Sequence, residues 1–209
     1  MANGKRITEL LLKKYPQPKI ALKFSNPLEL LVATILSAQC TDVRVNVVTE
    51  RLFKKYKTAK DYANADINSF EQEIKSTGFY KNKAKMIINA AKKLVSDFGG
   101  KIPSTMEELT TLPGVGRKTA SVVLSAAFNI PAIAVDTHVL RVSNRLGLVK
   151  SEDPEKIEMQ LRNLIPENKW IDFSLALILH GRETCKAKKP LCKECVLYKP
   201  CKWTEKIKE

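Results

Sequence analysis

Apolar residues recur along most of the chain at the three- and four-residue spacing of an amphipathic helix. The clearest stretch lies between Tyr80 and Asp97 and is followed by Gly99 and Gly100. Its apolar stripe consists of Ala84, Ile87, Ile88, Ala91, Leu94 and Val95. Paired glycines favour a helix end because glycine adopts the left-handed backbone of a carboxyl-terminal cap. The pattern therefore predicts a helix over 80–97.

Several other segments carry residues that favour the start of a helix. A short polar side chain caps the first free amides, and proline fits the first helical position. The signals are Asn26, Pro27 and Glu29 ahead of an apolar run to Ala38, Ser104 with Glu107, and Asp153 with Pro154. No stretch shows the sustained alternation of a strand, and no repeat of fixed length occurs. The sequence predicts an all-α fold.

The charge balance narrows the classes of partner. The chain has 36 lysines and arginines against 22 aspartates and glutamates, a net charge of +14. Such a charge favours a polyanion, either nucleic acid or an anionic membrane, over a solvated basic surface without a partner. The longest apolar runs, such as Leu30 to Leu36, are too short to span a membrane, and the amino terminus lacks the apolar core of a signal peptide. We expect a soluble intracellular protein without a membrane partner.

A glycine-rich turn at Leu112-Pro-Gly-Val-Gly116 separates a predicted helix at 105–111 from one that starts near Arg117. Gly114 and Gly116 allow a tight turn that exposes backbone amides, and the next helix adds the positive end of its dipole. This arrangement favours a phosphate site, although a plain helix–helix turn has the same local signal. A dinucleotide fold and a P-loop are excluded by the missing strand and the wrong glycine spacing.

Four of the five cysteines lie close together, at Cys185, Cys192, Cys195 and Cys201, while Cys40 stands apart and receives no role. A disulfide framework is not expected in an intracellular chain of this length, so the cluster indicates a metal site. Four thiolates without histidine suit a cubane iron–sulfur cluster or an irregular all-cysteine zinc site. The spacing alone leaves both open.

Two polar residues stand where chemistry is possible. Lys118 falls in the first turn after the glycines, where the helix dipole disfavours the ammonium and favours a neutral, nucleophilic amine. The alternative is a phosphate-binding lysine beside Arg117. Asp136 follows the apolar Ile133-Ala-Val135 and precedes a predicted helix, so it is a candidate helix cap as well as a catalytic carboxylate.

The motifs taken together resemble endonuclease III. They are Leu-Pro-Gly-Val-Gly-Arg-Lys-Thr-Ala at 112–120, Val-Asp-Thr-His at 135–138, Leu-Ser-Ala-Gln at 36–39, the segment 78–84, Leu-His-Gly-Arg at 179–182 and the four-cysteine tail. The resemblance covers nearly the whole chain. It implies a helix-hairpin-helix DNA glycosylase fold, with a six-helix barrel domain at 20–130. The iron–sulfur cluster domain would combine 1–19 with 131–209 and hold a [4Fe-4S] cluster on the four cysteines, with the DNA cleft between the two domains.

The resemblance also implies a function: removal of damaged pyrimidines from double-stranded DNA, then cleavage of the strand at the abasic site. Lys118 matches the nucleophile that forms a Schiff base with the sugar, and Asp136 matches the carboxylate that assists it. The hairpin residues Leu112, Gly114, Val115 and Gly116 match DNA contacts. We expect a monomer, because chemistry on one flipped nucleotide requires no symmetry. We expect it in the cytoplasm, associated with the nucleoid.

Three further DNA contacts are expected from the resemblance. Gln39 matches the residue that fills the gap left by the flipped nucleotide, Phe79 falls where the family often has a leucine wedge, and His138 matches a residue near the lesion strand. Without the resemblance, each would be an ordinary residue of a loop or helix end. Lys118 and Asp136 favour an enzyme over the competing hypothesis, a DNA-binding module that performs no chemistry, since binding alone requires neither residue.

Overall fold

The computed structural model describes residues 2–206, and every regular element in that part of the chain is a helix. The α-helices are α1 (Ala2–Lys14), α2 (Pro27–Leu36), α3 (Asp42–Lys55), α4 (Ala59–Ala63), α5 (Ile67–Ile74), α6 (Tyr80–Phe98), α7 (Met106–Thr110), α8 (Arg117–Phe128), α9 (Thr137–Arg145), α10 (Pro154–Leu164) and α11 (Trp170–Glu183). Short 3₁₀ turns lie at Lys75–Thr77, Glu167–Lys169 and Cys192–Glu194. The predicted all-α class is confirmed. No helix within 2–206 is long and apolar enough to cross a membrane.

The chain forms two compact units. One comprises Ile20–Ile130, which contains α2 to α8. The other combines the amino-terminal residues through Lys19 with the chain from Pro131 onward, which contains α1 and α9 to α11. Its core joins α1 to the later helices through residues such as Leu11, Val139 and Phe173, all fully buried.

Local capping chemistry sets several helix starts. The Asn26 side chain accepts a hydrogen bond from the amide of Glu29, and Asp153 caps α10 in the same manner, as predicted. The predicted cap at Ser104 is wrong by one residue: Thr105 accepts from the amide of Glu108 and begins α7. The error arises because Ser104 and Thr105 both stand three residues before a glutamate, so the two capping signals overlap.

The long helix α6 carries the core of the Ile20–Ile130 unit. It runs from Tyr80 to Phe98 and ends at Gly99, whose backbone is left-handed as predicted. Of the predicted stripe, Val95 is the exception, since its side chain is 40% exposed near the end of the helix. Helix α2 ends at Leu36, two residues before the predicted Ala38.

Candidate functional site

The glycine turn between α7 and α8 is a tight hairpin. The amide of Val115 donates to the carbonyl of Leu112 at 3.0 Å, and Gly114 has a left-handed φ of +77°. A Cβ atom at Gly114 would lie 2.7 Å from the Cβ of Met86, so the hairpin backbone lies directly against α6. Gly116 is extended and starts α8 without a side-chain cap. The first amides of α8 therefore have no partner within their own helix.

The hairpin residues divide into exposed and buried positions. Gly114 and Gly116 are exposed, whereas the side chains of Leu112 and Val115 are buried in the core. A ligand at the hairpin would therefore contact the backbone of Leu112 and Val115 and not their side chains. Such a surface suits phosphate groups, which carry no base identity.

Lys118 is the second residue of α8, immediately after the hairpin, and is exposed. Lys118 therefore belongs to the same helix turn as the backbone amides that would face a phosphate. This is the position predicted from the sequence, and it suits an amine that must reach a nucleotide bound at the hairpin.

Asp136 belongs to the other unit and caps α9. Its Oδ1 atom accepts hydrogen bonds from the amides of His138 and Val139, each at 2.8 Å. The predicted capping role is therefore confirmed. Both bonds end on Oδ1, so capping leaves the Oδ2 atom outside these two contacts. Asp136 is half-buried.

His138 lies on α9 where that helix packs against α11. A Cβ atom at Gly181 would lie 3.0 Å from the His138 Nδ1 atom, so the glycine permits this close approach. Burial, together with the nearby Arg141 cation, lowers the pKa of His138. Arg141 Nη2 lies 3.2 Å from Nδ1 and also donates to the carbonyl of Cys185 at 3.1 Å. The His138 ring is thus held in place by the segment that begins the cysteine cluster.

Gln39 and Phe79 share an uncommon backbone. Both have left-handed φ angles, 52° at Gln39 and 49° at Phe79, and both side chains are exposed. Few residues other than glycine adopt this conformation, and it persists only where the surroundings impose it. Phe79 is 63% exposed, which is a large apolar surface in contact with water. Gln39 is thus exposed in the segment that follows α2, and Phe79 is exposed immediately before α6.

Lys83 is a residue that the sequence reasoning missed. It is 3% exposed, and its ammonium donates to the carbonyls of Leu36 and Thr77, each at 2.8 Å. A signal was present, because Lys83 stands four residues before Ile87 on the apolar face of α6. Lysine on a buried face is rare and requires partners for its charge.

The four clustered cysteines line one cavity in the unit that contains α9 and α11, together with Arg145 and His180. Arg145 Nη1 lies 3.5 Å from the Cys185 sulfur, and His180 Nε2 lies 3.5 Å from the Cys195 sulfur. Burial, and then the neighbouring thiols, raise the pKa of Cys195 to about 11. A bound cation would supply the charge that turns such thiols into thiolates. Within 2–206, no three His, Cys, Asp or Glu side chains converge as a site for one metal ion.

Arg145 connects this cavity to the basic loop that follows Cys185. Its guanidinium donates to the carbonyls of Lys186 at 2.8 Å and Ala187 at 3.1 Å. The same group stacks on the Trp203 ring at 4.0 Å. The planar fork of arginine bonds the two carbonyls through separate nitrogens, Nη1 and Nη2, whereas lysine offers one nitrogen and no fixed fork. One side chain therefore fixes the loop, the cavity wall and the carboxyl-terminal segment together.

The sequence matches known base excision repair proteins along most of its length. Residues 32–167 match the model of the HhH-GPD superfamily base excision DNA repair proteins. The chain is 54% identical to endonuclease III of Synechocystis over 206 residues, which cover 96% of this chain and 94% of that protein. It is 41% identical to endonuclease III of Escherichia coli over 209 residues, or 99% of each chain.

Solved structures give the same result. An endonuclease III trapped as a covalent intermediate with DNA superposes with a TM-score of 0.91 at 44% identity and covers 95% of both chains. A thermostable thymine-DNA glycosylase superposes with a TM-score of 0.88 at 26% identity, covering 99% of this chain and 98% of that one. The predicted helix-hairpin-helix glycosylase fold is confirmed. The chain belongs to the endonuclease III family, within the HhH-GPD superfamily of base excision DNA repair proteins.

Proposed function

We propose that this chain removes damaged, oxidised pyrimidines from double-stranded DNA and cleaves the resulting abasic strand through a Schiff base on Lys118. The observation that carries the proposal is the exposed Lys118 amine in the first turn after the glycine hairpin. A related endonuclease III has been trapped covalently on DNA, and covalent capture requires a nucleophile on the protein. Glycosylase and lyase activity in base excision repair is the activity of the family.

The chemistry requires an amine. The Lys118 nitrogen attacks the sugar C1′ atom and forms a C–N bond while the base leaves with the electrons of the glycosidic bond. Opening of the sugar ring gives an iminium, which accepts electrons when the C2′ proton is removed. The electron pair then forms a C2′–C3′ double bond and expels the 3′ phosphate. A hydroxyl nucleophile could not provide this electron sink, because only nitrogen forms an iminium.

Asp136 is proposed to assist the amine and to stabilise the positive charge that develops on the sugar. Its two amide donors fix the carboxylate through Oδ1. The helix-capping role and the catalytic role are compatible because both capping bonds end on Oδ1, so Oδ2 is not used by the cap. His138, two residues later, is proposed to lie near the lesion strand.

DNA binding is proposed to use backbone and side-chain contacts in different places. The hairpin at Gly114 and Gly116 would hold a phosphate through its amides, and the net charge of +14 would favour the chromosome as the partner. Gln39 would fill the gap left by the extruded nucleotide, and Phe79 would wedge between the neighbouring bases. Extrusion costs a few kcal/mol of lost stacking, which such contacts offset.

Cys185, Cys192, Cys195 and Cys201 are proposed to hold a [4Fe-4S] cluster. The donor set fits, because these four thiols line one cavity and a cubane takes four thiolates. When bound, the cluster would cross-link the segment between the first and last cysteine and so fix the basic loop that Arg145 also holds. An all-cysteine zinc site is the alternative, and the metal content decides between them.

The proposal is tested with two Lys118 variants that separate nucleophile from cation. Lys118→Arg keeps the positive charge but cannot form an imine, because guanidinium does not lose its proton at neutral pH. We expect both Lys118→Arg and Lys118→Ala to bind a duplex with one abasic site yet to lose strand cleavage. Cleavage by either variant would refute the nucleophile. Cleavage by Lys118→Arg alone would favour the phosphate-binding role instead.

A further inference from the structure

The buried Lys83 side chain joins two segments that are far apart in the sequence. Its ammonium donates to the carbonyl of Leu36, the last residue of α2, and to the carbonyl of Thr77, just before α6. Both acceptors are backbone carbonyls, so the ammonium fixes the positions of two backbone segments and forms no ion pair in these contacts. Burial lowers the pKa of Lys83, which shows that the site does not favour the cation by itself.

Each of the two acceptors lies a few residues before one of the exposed residues proposed to contact DNA. Leu36 stands three residues before Gln39, and Thr77 stands two residues before Phe79. Gln39 and Phe79 are two of the non-glycine residues with a left-handed backbone, at φ values of 52° and 49°. Gly78, between Thr77 and Phe79, also has a positive φ of 71°. One ammonium therefore fixes the start of both strained segments.

Lysine has the properties that this junction requires. Its ammonium carries three donors on a flexible stem, so it bonds two carbonyls that approach from different directions. The last carbonyls of a helix accept no hydrogen bond from their own helix. Without the Lys83 ammonium, such a carbonyl would be buried with no donor. A neutral apolar residue at position 83 would leave both carbonyls unsatisfied. The segments would then lose their fixed separation.

We propose that Lys83 is a positioning residue that holds the Gln39 and Phe79 segments at the separation needed to occupy the duplex beside an extruded nucleotide. The inference rests on the DNA contacts proposed for Gln39 and Phe79. Lys83 itself is buried and touches no DNA. It acts through the loops, in the same way as an outer ligand orients the residues that contact a substrate.

The test compares Lys83→Met with the double variant Gln39→Ala/Phe79→Ala and with a triple variant that combines them. Lys83→Met keeps an unbranched side chain, one atom shorter than lysine, and removes the donors. Lys92→Met is the matched control, since Lys92 is exposed on the same helix and its loss changes the net charge equally. Two readouts are measured on the holoprotein: excision of an oxidised pyrimidine at saturating protein, and the fluorescence of 2-aminopurine placed opposite an abasic-site analogue.

We expect the double variant to lose roughly 5- to 150-fold in excision rate, the factor that corresponds to one lost aromatic–base stacking contact. Lys83→Met should lose a similar factor and show the same loss of 2-aminopurine unstacking. The triple variant should lose no more than the double variant, because the ammonium acts through the segments that the double variant has already disabled. Lys83→Arg, which restores a cation and donors, should recover part of the loss. Lys92→Met should match the parent.

Other outcomes overturn the inference in distinguishable ways. Parental behaviour of Lys83→Met, or losses that multiply in the triple variant, would show that Lys83 does not act through these segments. Parental excision by Gln39→Ala/Phe79→Ala would refute the proposed DNA contacts, and the inference with them, while leaving the Lys118 chemistry intact. Should Lys83→Met lose its helical circular dichroism, Lys83→Leu, which also removes the donors, serves with the same expectation. Hydrogen exchange should then rise in 37–40 and 77–80 before it rises in α8.

Discussion

The close approach of Gly114 to Met86 predicts a large penalty for a single added methyl group. In Gly114→Ala the new Cβ atom would stand 2.7 Å from the Met86 Cβ atom and 2.9 Å from its Cγ atom. The Cβ atom of Met86 is fixed by the backbone of α6, so rotation of the methionine cannot remove the first contact. The φ of +77° adds a second cost, because alanine is strained in the left-handed region.

The magnitude follows from these two effects. A left-handed alanine costs about 1–2 kcal/mol. Overpacking against a fixed neighbour costs about 1–3 kcal/mol more. The free energy of unfolding should therefore fall by about 2–5 kcal/mol. Local opening of α6 and α8 should become roughly 30- to 5000-fold more frequent, since about 1.4 kcal/mol corresponds to a factor of ten.

Two other glycines provide graded controls. Gly99 has a φ of +59° but nothing within 4 Å of the position that an added methyl group would take, so Gly99→Ala should show the backbone strain alone, about 1–2 kcal/mol. Gly116 has an ordinary φ of −88° and equally open space, so Gly116→Ala should cost about 1 kcal/mol or less. The entropy that alanine removes from the unfolded chain is common to all three variants and cancels in the comparison.

Hydrogen exchange measures the effect in the right place. Rates for α6 and α8 are compared among the three variants, with α11 as an internal reference because its unit contains none of the substituted residues. We expect the order Gly114→Ala, then Gly99→Ala, then Gly116→Ala. Equal rates for Gly114→Ala and Gly99→Ala would show that contact with Met86 contributes nothing, and that the hairpin is not held against α6 as described.

Four further predictions address the chemistry, the metal and the stability. Asp136→Asn should keep the helix cap, so its free energy of unfolding should stay within about 0.5 kcal/mol of the parent while base excision falls about 100-fold or more. Asp136→Ala should also lose about 1 kcal/mol of stability with the cap. Equal excision by Asp136→Asn and the parent would refute a catalytic carboxylate. The purified protein should be brown and contain about four irons, and a colourless protein with one zinc would refute the cluster. Arg145→Lys should raise hydrogen exchange in 186–191, since lysine lacks the two separate nitrogens that bond the loop carbonyls. Unchanged exchange would contradict that role. Backbone amides lower the pKa of Asp61 below 3.8. The stability that the ionised Asp61 contributes should therefore be complete above that pH and be lost as the pH falls through the lowered pKa. In urea denaturation at a series of acid pH values, Asp61→Asn should lose less stability on acidification than the parent.

Features that depend on neighbours in the sequence could be predicted. Asn26, Asp153 and Asp136 each cap a helix through an amide two or three residues ahead, so the residue type and its immediate context suffice. The same holds for Gly99, which ends α6 because the apolar stripe stops there. The position of Lys118 in the first turn of α8 was also predictable, since the hairpin glycines directly precede it.

Features that depend on distant parts of the chain could not be predicted. The place of Lys83 on the apolar face of α6 indicates burial, but the sequence does not show that Leu36, 47 residues earlier, supplies a carbonyl for its ammonium. Leu112 and Val115 belong to a motif that suggests DNA contact, but their side chains are buried in the core, and no local pattern reveals this. The cap at Thr105 was missed for the opposite reason, because two local signals compete one residue apart.

The most direct test of the central claim is borohydride trapping on a duplex with one abasic site, followed by mass mapping of the modified peptide. Borohydride reduces an iminium to a stable amine, so it records the Schiff base and the residue that formed it. We expect a covalent DNA adduct on Lys118 in the parent and none with Lys118→Arg, although that variant still binds the duplex. An adduct on another residue, or no adduct from a parent protein that binds the DNA, would contradict the assignment of Lys118 as the nucleophile.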